Sequence, residues 1–344
     1  MRPNGFRTGV MGGVMGGVMM GLALVSGTAA AQDYPWKPNK PITLVVPWGA
    51  GGATDQVSRL TAAILEDELK QRVVVVNQPG ASGAIGKKNV WEATRDGYTM
   101  AAGAPKQLGT YKLLGQWDTW IDDWQLYNTV TNVPMVSVNP GSPYKTMADF
   151  VAAMKAGTVT IATAGAGSSG HSAAEALKGL IGGNYKHVTY DGGNPAVVAT
   201  VAGEAQATTQ LASEQAEMVR GKRLRPLAVL SDQPLEIQGY GKVPPVTDFI
   251  KGRIPVQSTT FGIFVPKQGT PPEVIETLNR IWATKIATNA KLQAYALEKG
   301  AQFTPGYGQA ARDKAWPEIQ ADAWSFHAAG RTKMSPDTLK IPKP

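Results

Sequence analysis

ITLVV-PWGAGGATD-QVSRLTAAILEDELK, residues 42–70, joins an apolar run to a glycine-rich bend and the bend to an amphipathic stretch. Val57, Leu60, Ile64, Leu65 and Leu69 recur at helical spacing, so the pattern predicts strand, bend and helix, with the helix over 55–70. Such a bend presents backbone N–H groups at a helix start, where the macrodipole favours negative charge. The anion is a phosphate or a carboxylate. The same design returns at 159–183, VTIATAGAGSSGHSAAEALKGLIGG, and at 187–211, HVTYDGGNPAVVATVAGEAQATTQL. Repeated β–loop–α units predict an α/β protein built on parallel sheets with helices on both faces. Ligands of such sheets sit at the carboxyl ends of the strands, where the bends fall.

The remaining elements follow outward from these. RVVVVN (72–77) reads as a strand buried on both faces, by its unbroken apolar run. QPGASGAIG leads into a helix through Val90 and Ala93, and GYTMAAGA (97–104) is a further strand. VPMVSVNPGSPYKTMADFVAAMKAG gives strand, turn and a helix closed by Gly157, and LRPLAVLS is a strand. TTFGIFVP precedes a helix with Thr270 as N-cap, prolines in the first turn and Glu273 closing a capping box. The tryptophan-rich stretch GQWDTWIDDWQLYN (115–128) has no readable period.

Composition bounds the function. The 344 residues suffice for two domains, and 43% hydrophobic with 17% charged residues reads as globular rather than disordered. The net charge of +8 is spread along the chain; its densest spots, RGKRLR at 220–225 and Lys87-Lys88, lack the aromatic neighbours of a nucleic-acid platform and read as solvated surface. Arg2 and Arg7, an apolar stretch, and small residues at Ala29 and Ala31 make residues 1–31 a secretory signal peptide, leaving 8 − 2 = +6 on the mature chain. No later run of about 18 apolar residues predicts a membrane span. The absence of cysteine excludes disulfides, thiolate nucleophiles and cysteine-based zinc sites.

Catalytic readings find little support. GAGSSG, Gly165–Gly170, fits G-x-G-x-x-G, with Asp191 about 20 residues on where a ribose-binding acid would stand. Such bends are common, however, and free nicotinamide cofactor is scarce outside the cytoplasm, so an exported NAD-dependent oxidoreductase is the weaker alternative. GAGGATD lacks a P-loop's Gly-Lys-Ser/Thr, GASGA at 80–84 is not G-x-S-x-G, and His171, His187 and His327 have no metal-ligand spacing. No catalytic residue, metal or cofactor is expected.

Several segments in register resemble one family. YPWKPNKPITLVVPWGAGGATDQVSRLTA, VVVVNQPGASGAIG with ATRDGYTM, GAGSSGH, HVTYDGG and GKRLRPLAV are similar, in order, to the Bug/TctC-type substrate-binding proteins of tripartite tricarboxylate transporters. The resemblance implies a type II periplasmic binding protein with two domains, each a mostly parallel sheet flanked by helices. It implies a monomer without enzymatic activity that holds a small carboxylate in its cleft for transporter membrane subunits. Domain 1 would take 32–133 and 260–344, domain 2 134–259, with hinges near NVPMVSV and STTFGIFV. A sensor of the same fold, docking on a signalling protein, is the other binding alternative.

The resemblance also distributes the site. Trp48 would be an apolar wall, and Ala50, Gly51, Gly52, Ala53 and Thr54 would offer N–H groups. Asp55 would brace the loop or cap the helix, or else meet a ligand amine. Thr163, Gly165, Ser168, Ser169 and His171 would line the cleft from domain 2. Tyr190, with Asp191 behind it, would be a ligand-facing phenol or a core tyrosine. Two stretches depart from the family: APKQLGTYKLLGQWDTWIDDW and TTQLASEQ. Lys106, in the first, would meet a second carboxylate or point into solvent. Di- or tricarboxylates, aromatic acids and acidic amino acids are all candidate ligands, and the nine tryptophans lean slightly toward aromatic acids.

Overall fold

The computed structural model describes residues 33–252 and 257–344, so the signal-peptide expectation lies outside the described residues. Tyr34–Pro344 forms one compact unit containing two main sheets. The chain enters through β1 (Ile42–Val46), α1 (Ala53–Leu69), β2 (Val73–Asn77), α2 (Ala84–Glu92), β3 (Thr99–Gly103), a short α3 (Tyr111–Leu114) and β4 (Trp124–Asn132). It then builds β5 (Met135–Val138), α4 (Met147–Ala156), β6 (Thr160–Thr163), α5 (Ser169–Ile181), β7 (Lys186–Thr189), α6 (Gly193–Ala202), β8 (Ala207–Thr208), α7 (Ala212–Arg220) and β9 (Arg225–Val229). A hairpin, β10 (Leu235–Ile237) and β11 (Gly241–Val243), follows. The chain closes with β12 (Thr259–Pro266), α8 (Pro272–Ile281), α9 (Ala290–Lys299), β13 (Gln302–Tyr307) and α10 (Gly308–Ala328).

The first sheet has the order β13-β4-β12-β3-β1-β2 and the second β7-β6-β8-β5-β9. In the first, β1 to β4 run one way and β12 and β13 the other; in the second, only β5 is reversed. The sheets are therefore mixed, with a reversed strand where the chain crosses. β4 passes into β5 through Val133-Pro134 alone, and β12 is the strand by which the chain returns. No helix intervenes at the first crossing, so β5 cannot enter its sheet by a right-handed βαβ turn.

The helices form for the reasons their sequences give. α1 buries Val57, Thr61, Ile64, Leu65 and Leu69 against β1 and β2, and ends at Lys70 in the left-handed conformation. Thr146 and Asp149 cap α4 reciprocally, and Gly157 closes it at φ +68°. Burying a Leu or Ile such as Leu65 or Ile64 contributes about 1.5–3 kcal/mol each.

Three local expectations are corrected. β2 is an edge strand, so Val74, Val75 and Val76 are half-buried rather than enclosed on both faces. α8 is capped at Pro271, one residue later than expected, because the Thr270 hydroxyl turns back to donate to the Pro266 carbonyl. Lys87 is not solvated surface: it is fully buried, and its ammonium donates to Gln107 Oε1 and the Tyr111 hydroxyl.

The tryptophan-rich stretch forms a 3₁₀ turn, Ile121–Asp123, leading into β4. Trp91, Trp117 and Trp124 contact one another with centroids 5.2–6.2 Å apart, and Trp120 meets Trp316 of α10 at 6.2 Å. These rings close the side of the first sheet that packs on α10.

Candidate functional site

Both sheets aim helix starts at one small space. A cavity of about 30 Å³ is bounded by Gly52 and Thr54 at the start of α1, by Ser168 and Ser169 at α5, by Gly193 at α6, and by Leu211 and Glu214 at α7. Trp48, Ala104, Gln107, Ala164, Gln210 and Phe261 complete its wall. Four positive helix ends thus converge on a space with room for one or two waters.

The bend after β1 is held from both sides. Gly51, at φ +80°, gives its N–H to Asp55 Oδ2 at 2.9 Å. Arg59 reaches both Asp55 oxygens at 2.9 and 3.0 Å, and Asn77 donates to Oδ1 at 2.9 Å. Burial alone would raise the Asp55 pKa; the bonds from Arg59, Gly51 and Asn77 outweigh it and hold the carboxyl below the usual range. On the opposite side, Gly49 N–H donates to the Asp191 carbonyl at 2.9 Å. A Cβ on Gly49 would lie 2.8 Å from that carbonyl oxygen, so this backbone approach requires glycine.

Glu214 makes the second bond across the cleft. Its Oε1 accepts Ala53 N–H at 3.0 Å, and its Oε2 accepts Leu211 N–H at 3.3 Å. A Cβ on Gly193 would come within 2.0–2.3 Å of the carboxylate. Burial pushes the Glu214 carboxyl up to about 7, against the pull of the two backbone N–H groups. Gln210, 3% exposed, shares the cavity, and its Oε1 has no hydrogen-bond partner among the described residues.

Of the residues expected at the site, Trp48, Gly52, Thr54, Ser168 and Ser169 line this cavity. Ala53 joins through its N–H bond to Glu214. Ser168 caps α5 by accepting His171 N–H at 3.2 Å, and Ser169 Oγ accepts from Thr259 at 2.8 Å. Gly165, Tyr190 and Asp191 border a neighbouring open groove of about 510 Å³, facing Ala81 and Ser82 of the first lobe. Ala81 and Ser82 both hold positive φ, at +45° and +54°, a strained pair on the groove's edge.

The other expected residues are elsewhere. Ala50 and Gly51 are exposed and outside the cavity wall. The Asp55 carboxylate is taken up by its brace. Thr163 Oγ1 is bonded to His187 Nε2 at 2.6 Å. His171 is a core residue, stacked between His187 at 4.5 Å and Phe326 at 5.3 Å, with Nδ1 accepting Gly167 N–H at 3.1 Å. The Tyr190 phenol donates to Glu204 Oε2 at 3.0 Å. Lys106 neither reaches into the cleft nor points into solvent. It is fully buried and pairs with Asp322 at 3.0 Å, because α10 covers this segment. Burial raises the pKa of Asp322 and Glu318, with Lys106 pulling both back. Of the nine tryptophans only Trp48 lines the cavity, so the rest give no reason to favour an aromatic ligand.

Sequence reasoning missed Glu214, Gln210, Gln107 and Phe261. Gln107, Glu214 and Gln210 lie in the two stretches that depart from the family pattern, and that departure was the one available signal. Phe261, on β12, carried no signal of its own.

Comparisons with known proteins agree with the geometry. The family described as "Tripartite tricarboxylate transporter family receptor" matches residues 57–314. Protein BugT of Bordetella pertussis is 31% identical over 279 residues, covering 79% of this chain and 84% of BugT. The solved structure of R. palustris Rpa4515 with adipate superposes with a TM-score of 0.74 at 26% identity, over 85% of this chain and 98% of that one. The periplasmic binding protein BugD shares the fold, with a TM-score of 0.76 at 24% identity, over 86% of this chain and all of BugD. These are binding proteins rather than enzymes, and the chain belongs to the Bug/TctC family of tripartite tricarboxylate transporter receptors.

Proposed function

We propose that this chain is a periplasmic receptor that captures a small organic carboxylate between two lobes and presents it to the membrane subunits of a tripartite tricarboxylate transporter. The lobes would be 32–133 with 260–344, and 134–259. Residues 1–31 would be the export signal. The observation that carries the reading is the convergence of the α1, α5, α6 and α7 starts on one cavity. Backbone N–H groups and aligned helix dipoles favour an anion there, and the Ser168 and Ser169 hydroxyls add donors. The adipate held by the R. palustris relative supports a dicarboxylate as the ligand class. Trp48 and Phe261 would contact the carbon skeleton.

A thermal-shift screen over di-, tri- and aromatic carboxylates tests this. A ligand that binds only the folded chain stabilises it by mass action, by about 2.7 kcal/mol at a hundredfold excess over Kd, and so raises its melting temperature. A dicarboxylate should give the largest shift. A response to NAD with none to any organic acid would remove the receptor reading.

A further inference from the structure

Glu214 stands where an incoming carboxylate would be expected. It is the third residue of α7, partly buried, and among the described residues its hydrogen-bond partners are backbone N–H groups rather than a basic side chain. One of those groups, Ala53 N–H, belongs to the start of α1 on the opposite lobe. The carboxylate also lies against Gly193 at the start of α6, so closely that no Cβ fits there. Three helix starts therefore direct their positive ends at an acid of the chain's own. Beside it, the Gln210 amide carries an oxygen without a partner among the described residues, so the cavity holds polar capacity that they do not use.

We infer that Glu214 is an intramolecular stand-in for the ligand's carboxylate: it occupies the anion seat at the start of α1, ties the two lobes together when no ligand does, and is displaced when a carboxylate binds. The inference rests on the receptor reading for the identity of the displacing group, though not for the tie itself. Size supports it. A ligand-sized pocket has about 300–1,000 Å³, against the roughly 30 Å³ left beside Glu214, so capture requires the lobes to part and the side chain to swing away. Charge supports it too. Two carboxylates cannot share one seat without strong repulsion, so the observed affinity is the intrinsic affinity reduced by the strength of the internal bond. Glu214 thereby sets which acids bind: only one that makes more contacts than the internal carboxylate does can take its place.

The test compares the unaltered protein with Glu214→Ala and Glu214→Gln, each checked for native circular dichroism. Small-angle X-ray scattering at pH 8 without added acid should show a larger radius of gyration for Glu214→Ala. Glu214→Gln should fall between, because its amide oxygen can still accept Ala53 N–H. An identical profile for Glu214→Ala and the unaltered protein would overturn the tie. Calorimetric titration with adipate and citrate should show binding at least about tenfold tighter to Glu214→Ala, with Glu214→Gln also improved. Equal or weaker binding by both variants would overturn displacement and make Glu214 a group that helps to hold the ligand. If Glu214→Ala opens but none of the three proteins binds either acid, the tie stands and the carboxylate-receptor reading loses its support.

Discussion

Asp55 and Glu214 take hydrogen bonds from the same short bend, at Gly51 and Ala53, yet they differ in nearly every other respect. Asp55 sits on the outer side of the bend with a guanidinium and an amide on its oxygens, and its pKa is depressed. Glu214 comes from the opposite lobe, has only backbone donors among the described residues, and is pushed up to about 7. A helix start favours both carboxylates, but among the described residues only Asp55 has a counter-charge. The difference teaches that the dipole selects the sign of the charge, while the side chains around it decide whether the acid is a fixed brace or a movable occupant.

The comparison can first be pressed on a third acid, Asp322. If a cation is what makes a buried carboxylate permanent, Lys106→Met should be the most damaging change, leaving Asp322 and Glu318 enclosed without Lys106. It should cost about 3–5 kcal/mol in denaturant unfolding. A loss below about 1 kcal/mol would break the rule.

The pH dependence comes next. Because the folded state holds the Glu214 proton more tightly than the unfolded chain does, its contribution is full below pH 4.5 and is lost as pH rises through about 7. The loss is about 3 kcal/mol for a displacement of that size. Asp55 acts with the opposite sign: its contribution is present above the ordinary carboxylate range and is lost as pH falls through its depressed pKa. Stability of the unaltered protein minus that of Glu214→Gln, followed from pH 4 to pH 8, should therefore fall with pH. A flat difference would mean that the fold does not hold the Glu214 proton.

The smallest effect belongs to the brace. Asp55→Ala should cost about 2 kcal/mol, since it unties Gly51 N–H and Asn77 while the half-exposed Arg59 regains water. Thermal unfolding of Asp55→Ala and Asn77→Ala, singly and together, should give a sub-additive pair. Strict additivity would show that the two do not act through one network.

What the sequence revealed and what it hid follow from range. The strand–bend–helix units at 42–70, 159–183 and 187–211 were legible because periodicity and glycine spacing are local. The crossings near NVPMVSV and STTFGIFV, by contrast, were expected from the family resemblance and not from any local pattern. Lys106 and His171 misled because α10, more than a hundred residues away, buries them. Glu214 was hidden for another reason: in ASEQAEMVR it reads as an ordinary first-turn acid, and only the closeness of Gly193 and Ala53 gives it a different role. The tryptophans at 117, 120 and 124 lent weight to an aromatic ligand through their number, but their place is under α10.

One feature of the topology reaches beyond this chain. Asn132, the last residue before the first crossing, is paired in register with Thr259, the first residue of the returning strand. Between these neighbours lies all the sequence that builds the second sheet. Neighbouring strands are about 5 Å apart, a gap that a hairpin turn of two to five residues closes. The second sheet is thus carried as an insertion at the tip of a β-ribbon, whose two ends, Asn132 and Thr259, are paired on the first sheet. Such a joint lends itself to exchange: the segment 133–258 of a relative, grafted between Asn132 and Thr259, would bring its own α5, α6 and α7 starts and leave the bend at Pro47–Asp55 as the common half of every chimera.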